Sequence, residues 1–167
     1  MPEVYQNKLE NGLEVYGIEN NEVPLVQFNL VINGGQLVES MDKLGVANLT
    51  ASLLNKGTKN KSVSELEEAI QELGASINIY ASKENITISG TSLRRNYEKT
   101  LALAQEMLLE PRFDEEEFEL LKKATLSRLR QQEASHNSVA RNKYNELIYG
   151  ENNIRAKNTL GNINSVT

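Results

Sequence analysis

The sequence predicts an α+β fold, an antiparallel sheet with helices packed on one face. Three observations predict it. Strand-like and helix-like segments come in segregated runs: strands, two helices, a strand pair, then further helices. The strand-like runs alternate apolar and polar residues, the pattern of antiparallel strands with one buried face. The helix-like runs carry apolar stripes at helical spacing and stop at Gly or before Pro. At 167 residues the chain is long enough for one domain with its own core.

The elements follow in order. Asn11-Gly12, between Lys8-Leu9-Glu10 and Leu13 to Ile18, is a hairpin signal. Leu25 to Asn33 is a longer strand, with Val26, Phe28, Leu30 and Ile32 on one face and Gln27 and Asn29 on the other. Gly34-Gly35 ends it and is too short for a phosphate loop. Gly45 to Asn55 reads as a helix, with Val46, Leu49, Leu53 and Leu54 near one side and Gly57 as its stop. Ser62-Val63-Ser64-Glu65 is a capping box, in which Ser62 and Glu65 satisfy amides that the helix leaves open. Leu66, Ala69, Ile70 and Leu73 form the stripe of that helix, and Gly74 closes it.

Ala75 to Ala81 and Asn85 to Gly90 read as an antiparallel pair. Tyr97 to Leu109 is helical, with Leu101, Ala104 and Leu108 in step, and stops before Pro111. Asp114 opens a long charged helix to Glu133, and acids in its first turn complement the helix dipole without any ion. Ser135-His136-Asn137 breaks the pattern; Ser138 starts a last helix, with Ala140, Tyr144, Leu147 and Ile148 inward. Residues 150–167 are polar and loop-like.

Composition narrows the function classes. Apolar residues make up 39% and charged residues 25%, as in ordinary globular domains. The 18 basic and 23 acidic residues leave a net charge of −5, which argues against a nucleic-acid partner. No apolar run approaches the ~20 residues of a membrane helix, so no membrane insertion is expected. MPEVYQNKLE lacks the apolar segment of a signal peptide. With no Cys, thiolate zinc sites are excluded, and the compartment, periplasmic or cytoplasmic, stays open. His136 is the single histidine, so the sequence supports no pair of nucleophile and imidazole base. The Lys and Arg residues of LKKATLSRLRQQ read as a solvated helix face.

The stretch GVANLTASLLNKGT, Gly45 to Thr58, holds Asn48, Ala51 and Ser52 at its centre, residues with little chemistry. Its frame, Gly45-Val46-Ala47 and then Leu54-Asn55-Lys56-Gly57-Thr58, resembles the zinc helix of the insulinase-type peptidases, the M16 or inverzincin family. In that family His-x-x-Glu-His places two histidines on one helix face to hold zinc, and the Glu activates the metal-bound water. A third ligand, a Glu, comes from a later helix. In ungapped alignment Asn48 and Ser52 stand where the histidines would be and Ala51 where the Glu would be. The family's spacing, counted on from Ser52, reaches Arg128 or a near neighbour for the third ligand.

Other segments support the resemblance. LENGLEVYGIENNEVPLVQFNLVINGG is similar to the family's opening strands, with Glu39 just after the glycines. LGASINIYASKEN resembles its Gly-Ala-x-x-Asn-Ala-x-Thr strand, with Asn78 in the Asn place. FDEEEFELLKKATLSRLRQQ resembles its long helix, and Thr159 to Val166 a later family segment. The expectation is one M16-like domain over residues 1–167, shorter at the C-terminal side than a complete family half.

The resemblance implies a non-catalytic domain. Asn and Ser are poor zinc ligands, Ala51 has no proton acceptor, and no metal is expected in this chain. Two unit charges ~4 Å apart at an effective dielectric of ~20 repel by about 4 kcal/mol, so an Arg128 guanidinium in the site would oppose a dication. Arg128 or its neighbour is expected to fill part of the vacated space. Family halves come in homologous pairs that enclose a peptide, one bearing zinc. The implied partners are therefore a peptide substrate and a zinc-bearing half, with a homodimer as a further expectation. Sequence alone leaves two other readings open: a structural scaffold subunit without peptidase role, and a self-sufficient enzyme.

Overall fold

The computed structural model describes residues 3–20 and 22–162. Strand β1 (Val4–Lys8) and strand β2 (Glu14–Ile18) pair antiparallel, with Lys8 opposite Glu14. Asn11-Gly12 does turn the chain, but not as a two-residue loop. Leu9 N–H donates to Leu13 C=O at 2.8 Å, Gly12 N–H donates to Leu9 C=O at 2.9 Å, and Gly12 takes φ 87°. This is the three-residue loop Glu10-Asn11-Gly12 with glycine in the left-handed position, and Leu9 and Leu13 flank it.

Strands β3 (Leu25–Asn33), β4 (Ser76–Ala81) and β5 (Asn85–Leu93) form a second antiparallel sheet in the order β3-β5-β4. Strand β5 runs three residues past Gly90 because β3 pairs with it along its whole length, from Leu25 opposite Leu93 to Asn33 opposite Asn85. Phe28 lies across from Gly90, and a Cβ there would come within 2.3 Å of the ring, so glycine lets the aromatic cover the strand.

The helices are α1 (Val46–Leu54), α2 (Val63–Glu72), α3 (Tyr97–Leu109), α4 (Glu115–Glu133) and α5 (His136–Tyr149). Ala51 and Leu54 of α1, Leu66 of α2, and Leu103, Ala104 and Met107 of α3 pack on Ile79 and Ile88 to form the main core. All of these helical residues meet one face of the sheet. The opposite face carries Gln27, Asn29, Ser76, Asn78, Ser89 and Thr91 along a shallow depression. The α+β class and the one-sided helix layer are thus those the sequence predicts.

The capping box of α2 is complete, with Ser62 Oγ accepting from Glu65 N–H and the Glu65 carboxylate accepting from Ser62 N–H at 2.7 Å. Asp114 caps α4 by accepting from the N–H groups of Glu116 and Glu117. These backbone donors, followed by Arg112, hold the Asp114 carboxyl below its ordinary range.

Three helix faces differ from the sequence reading. In α3 the inward residues include Thr100 and exclude Leu101, which is exposed. Thr100 is held in by a 2.8 Å hydroxyl pair with Ser92 of β5, and this buried polar contact rotates the face away from Leu101. In α1, Val46 at the first helical position is exposed rather than inward. In α5 the helix begins at His136, with Ser135 as its cap, and no residue is fully buried. Ala140, Tyr144, Leu147 and Ile148, all expected inward, are exposed because α5 packs chiefly on α4 and on the short turn Ile154–Ala156.

Residues after α5 fold back onto the domain more closely than their polar composition predicts. Gln36 Nε2 donates to Asn158 C=O, and Asn158 Nδ2 donates to Gln132 Oε1 at 2.5 Å. Leu160 packs against Leu49 and Leu129. Of the segment Thr159 to Val166, residues 163–166 lie outside the described residues.

Candidate functional site

The family-like motif lies on α1, between strand β4 and helix α4. Glycine at position 45 gives the helix no capping side chain, so its first amides are served from a distance. The Glu39 carboxylate accepts from Gly45 N–H at 2.8 Å and from Ala47 N–H at 2.6 Å. Gly45 itself takes φ 99°, and a Cβ there would meet the Leu160 carbonyl at 2.6 Å, so only glycine fits beside the returning chain.

The motif residues divide between two surroundings. Ala51 is 1% exposed and belongs to the main core with Leu66 and Ile79. Asn48 and Ser52, one turn apart, are half-buried. The Ser52 hydroxyl donates to Asn48 C=O at 2.8 Å, so its proton is committed within the helix. Arg128 on α4 is exposed and does not enter the space beside α1. The side chain that does pack there is its neighbour Leu129, 5% exposed and in contact with Leu49; Phe118, Leu121, Leu126 and Leu160 surround the pair. Lys56 at the end of α1 reaches Glu117 of α4 at 3.5 Å, closing the same interface with an ion pair.

This residue set does not fit a zinc ion. An amide, an engaged hydroxyl, a methyl in the core and a leucine contact offer no set of three ligands. Among the described residues, no three of His, Cys, Asp and Glu come together in a group that could hold a metal. His136 is exposed at the start of α5, on a different helix from the motif.

Two residues that sequence reading left without a role are central here. Asn55, read only as part of the helix end, bonds through its side chain to both backbone groups of Ile79 in β4. Its signal was a lone amide on the last turn of a helix packed against a sheet. Glu106 of α3 gathers Thr58 Oγ1 at 2.7 Å, Asn60 Nδ2 at 3.1 Å and Lys61 Nζ at 2.9 Å, pinning the loop after α1. The Thr58 hydroxyl, then Lys61 and Asn60, hold its carboxyl below the ordinary range against the opposing effect of burial.

The model of the insulinase family, peptidase family M16, matches residues 15–160. The non-peptidase homolog YmxG of Helicobacter pylori is 27% identical over 123 residues, which cover 74% of this chain and 28% of that protein. The mitochondrial-processing peptidase subunit alpha-1 of Dictyostelium discoideum is 32% identical over 109 residues, covering 65% of this chain and 16% of that subunit. The crystal structure of a peptidase M16 inactive domain from Pseudomonas fluorescens superposes with a TM-score of 0.91 at 25% identity, covering 98% of this chain and 40% of that one. The chain therefore spans less than a third of either curated relative. It belongs to the insulinase peptidase family M16, as a non-catalytic domain.

Proposed function

We propose that this chain binds and encloses peptide substrate beside a homologous, zinc-bearing M16 half, without chemistry of its own. The observation that supports this reading is a packed α1 on which Asn48, Ala51 and Ser52, the residues set by resemblance at the family's ligand and base positions, offer no set of three metal ligands. Such a domain retains a surface and loses a reaction. The uncovered sheet face supplies that surface, with Gln27, Asn29, Ser76, Asn78, Ser89 and Thr91 offering donors and acceptors to an extended chain. Zinc in the partner half would supply the hydrolytic chemistry. The contribution of this domain is to hold the peptide and exclude water. The likeness to a processing-peptidase subunit and to a non-peptidase homolog supports the pairing.

Zinc titration of the purified chain followed by calorimetry tests the first half of the proposal. The expected result is no stoichiometric binding at submicromolar zinc; such binding would sink it. The second half is tested with a panel of unstructured peptides, with and without EDTA. This chain alone should cleave none in a metal-dependent way. Addition of an M16 protein bearing intact His-x-x-Glu-His should give cleavage that this chain stimulates. Complex formation without any stimulation would favour the scaffold reading.

The exposed apolar face of α5 favours a second association. A homodimer through Tyr144, Leu147 and Ile148 would cover side chains that the described fold leaves in solvent.

A further inference from the structure

Among the described residues, strand β4 is paired with β5 on one side only, and no strand lies on its other side. In an antiparallel ladder, alternate residues turn both N–H and C=O toward the same neighbour. Ile79 turns both away from β5, since both are taken by one side chain of the α1 end. Ile79 N–H donates to Asn55 Oδ1 at 3.0 Å, and Asn55 Nδ2 donates to Ile79 C=O at 2.8 Å. This reciprocal pair is the one that a residue of an added strand would make. The second Nδ2 proton goes to Ala51 C=O at 2.8 Å, which fixes the amide on its own helix. Both donors of the amide are thereby used.

We infer that Asn55 is a bracket that closes the outer edge of β4 to strand addition. An added peptide lies ~4.8 Å from its neighbour and needs the outward groups of Ile77, Ile79 and Ala81 in sequence. The central pair is already engaged, and α1 packs directly on the strand, with Ala51 and Ile79 both in the core. A peptide would therefore have to displace Asn55 and lose three hydrogen bonds to gain two at that residue. The bracket also answers a problem that the sequence of β4 leaves open. Natural edges are guarded by charge, proline or a bulge. Ser76–Ala81 reads SINIYA, with no charge and no proline. An extended ligand of this domain is accordingly directed away from the β4 edge. The inference rests on the hydrogen bonds alone and stands whether or not the domain serves a zinc-bearing partner.

Amide hydrogen exchange by NMR tests it, with a decapeptide of alternating Thr and Val flanked by Lys as the probe. In the unsubstituted chain, the Ile79 amide should be as protected as those of Asn78 and Tyr80. Millimolar peptide should leave the β4 amides unchanged. In Asn55→Ala, exchange at Ile79 should rise at least tenfold relative to Asn78 and Tyr80, and added peptide should slow it again. Peptide protection of β4 in the unsubstituted chain would overturn the inference. So would unchanged Ile79 exchange in the variant, or a variant edge that peptide fails to protect. If Asn55→Ala does not fold, exchange and titration of the unsubstituted chain decide alone: a rapidly exchanging Ile79 amide, or an edge that takes peptide, rejects the bracket.

Discussion

Ala51, which the resemblance sets at the family's base position, is part of the main core. A methyl group at 1% exposure, between Leu66 and Ile79, leaves no water for a carboxylate. Ala51→Glu should therefore cost about 3 kcal/mol or more, since it buries an unpaired charge, and urea unfolding measures that loss. Retention of full stability would show that the position opens to solvent. Glu39 acts in the opposite sense, as a charge the fold requires. Glu39→Ala removes the acceptor of two α1 amides and should cost about 1–2 kcal/mol in the same assay.

Glu106 sets a pH dependence. Its folded pKa lies below the ordinary 4.5, because Thr58, Lys61 and Asn60 favour the carboxylate. The stabilisation is fully present above 4.5 and is lost as pH falls through the depressed folded value. Glu106→Gln should thus be less stable than the unsubstituted chain at neutral pH. The gap should shrink in urea midpoints taken at successively lower pH below 4.5, and a gap constant with pH would refute the assignment.

At the scale of elements, α1 holds the domain together from two sides. One side packs on the sheet through Ala51, Leu54 and the Asn55 amide, and another meets α4 through Leu49, Leu129 and the Lys56–Glu117 pair. The ion pair is partly exposed and contributes little by itself, so the leucine contact decides the docking of α4. Leu129→Ala should cost about 2–4 kcal/mol by leaving a cavity at this contact. Native-state hydrogen exchange should show α4 loosening before the β3-β5-β4 sheet; simultaneous loss of both would place Leu129 in the main core instead. Helix α2 and the β4–β5 hairpin were legible from local chemistry alone, because a capping box and alternating isoleucines act within a few residues. The Thr100 face of α3 was not, since it depends on Ser92 from another element.

For the whole molecule, the unpartnered surfaces set the behaviour in solution. The α5 face of Tyr144, Leu147 and Ile148 was expected inward and is exposed, so self-association follows if nothing else covers it. The 18.7 kDa chain should elute from size exclusion as a concentration-dependent dimer. Leu147→Glu should return it to monomer without loss of helicity. A monomer at all concentrations would remove the homodimer from consideration. No helix among the described residues is long and apolar enough to cross a membrane.

The sequence by itself determined the α+β class, the order of elements and the likeness to the M16 family. Those features follow from residue type and short-range spacing, which the chain carries wherever it goes. Only the tertiary structure decided that Ala51 is core, that Leu129 rather than Arg128 meets α1, and that Asn55 reaches across to Ile79. Each of these depends on which distant segments lie side by side, and a periodic pattern specifies a face without naming its neighbour.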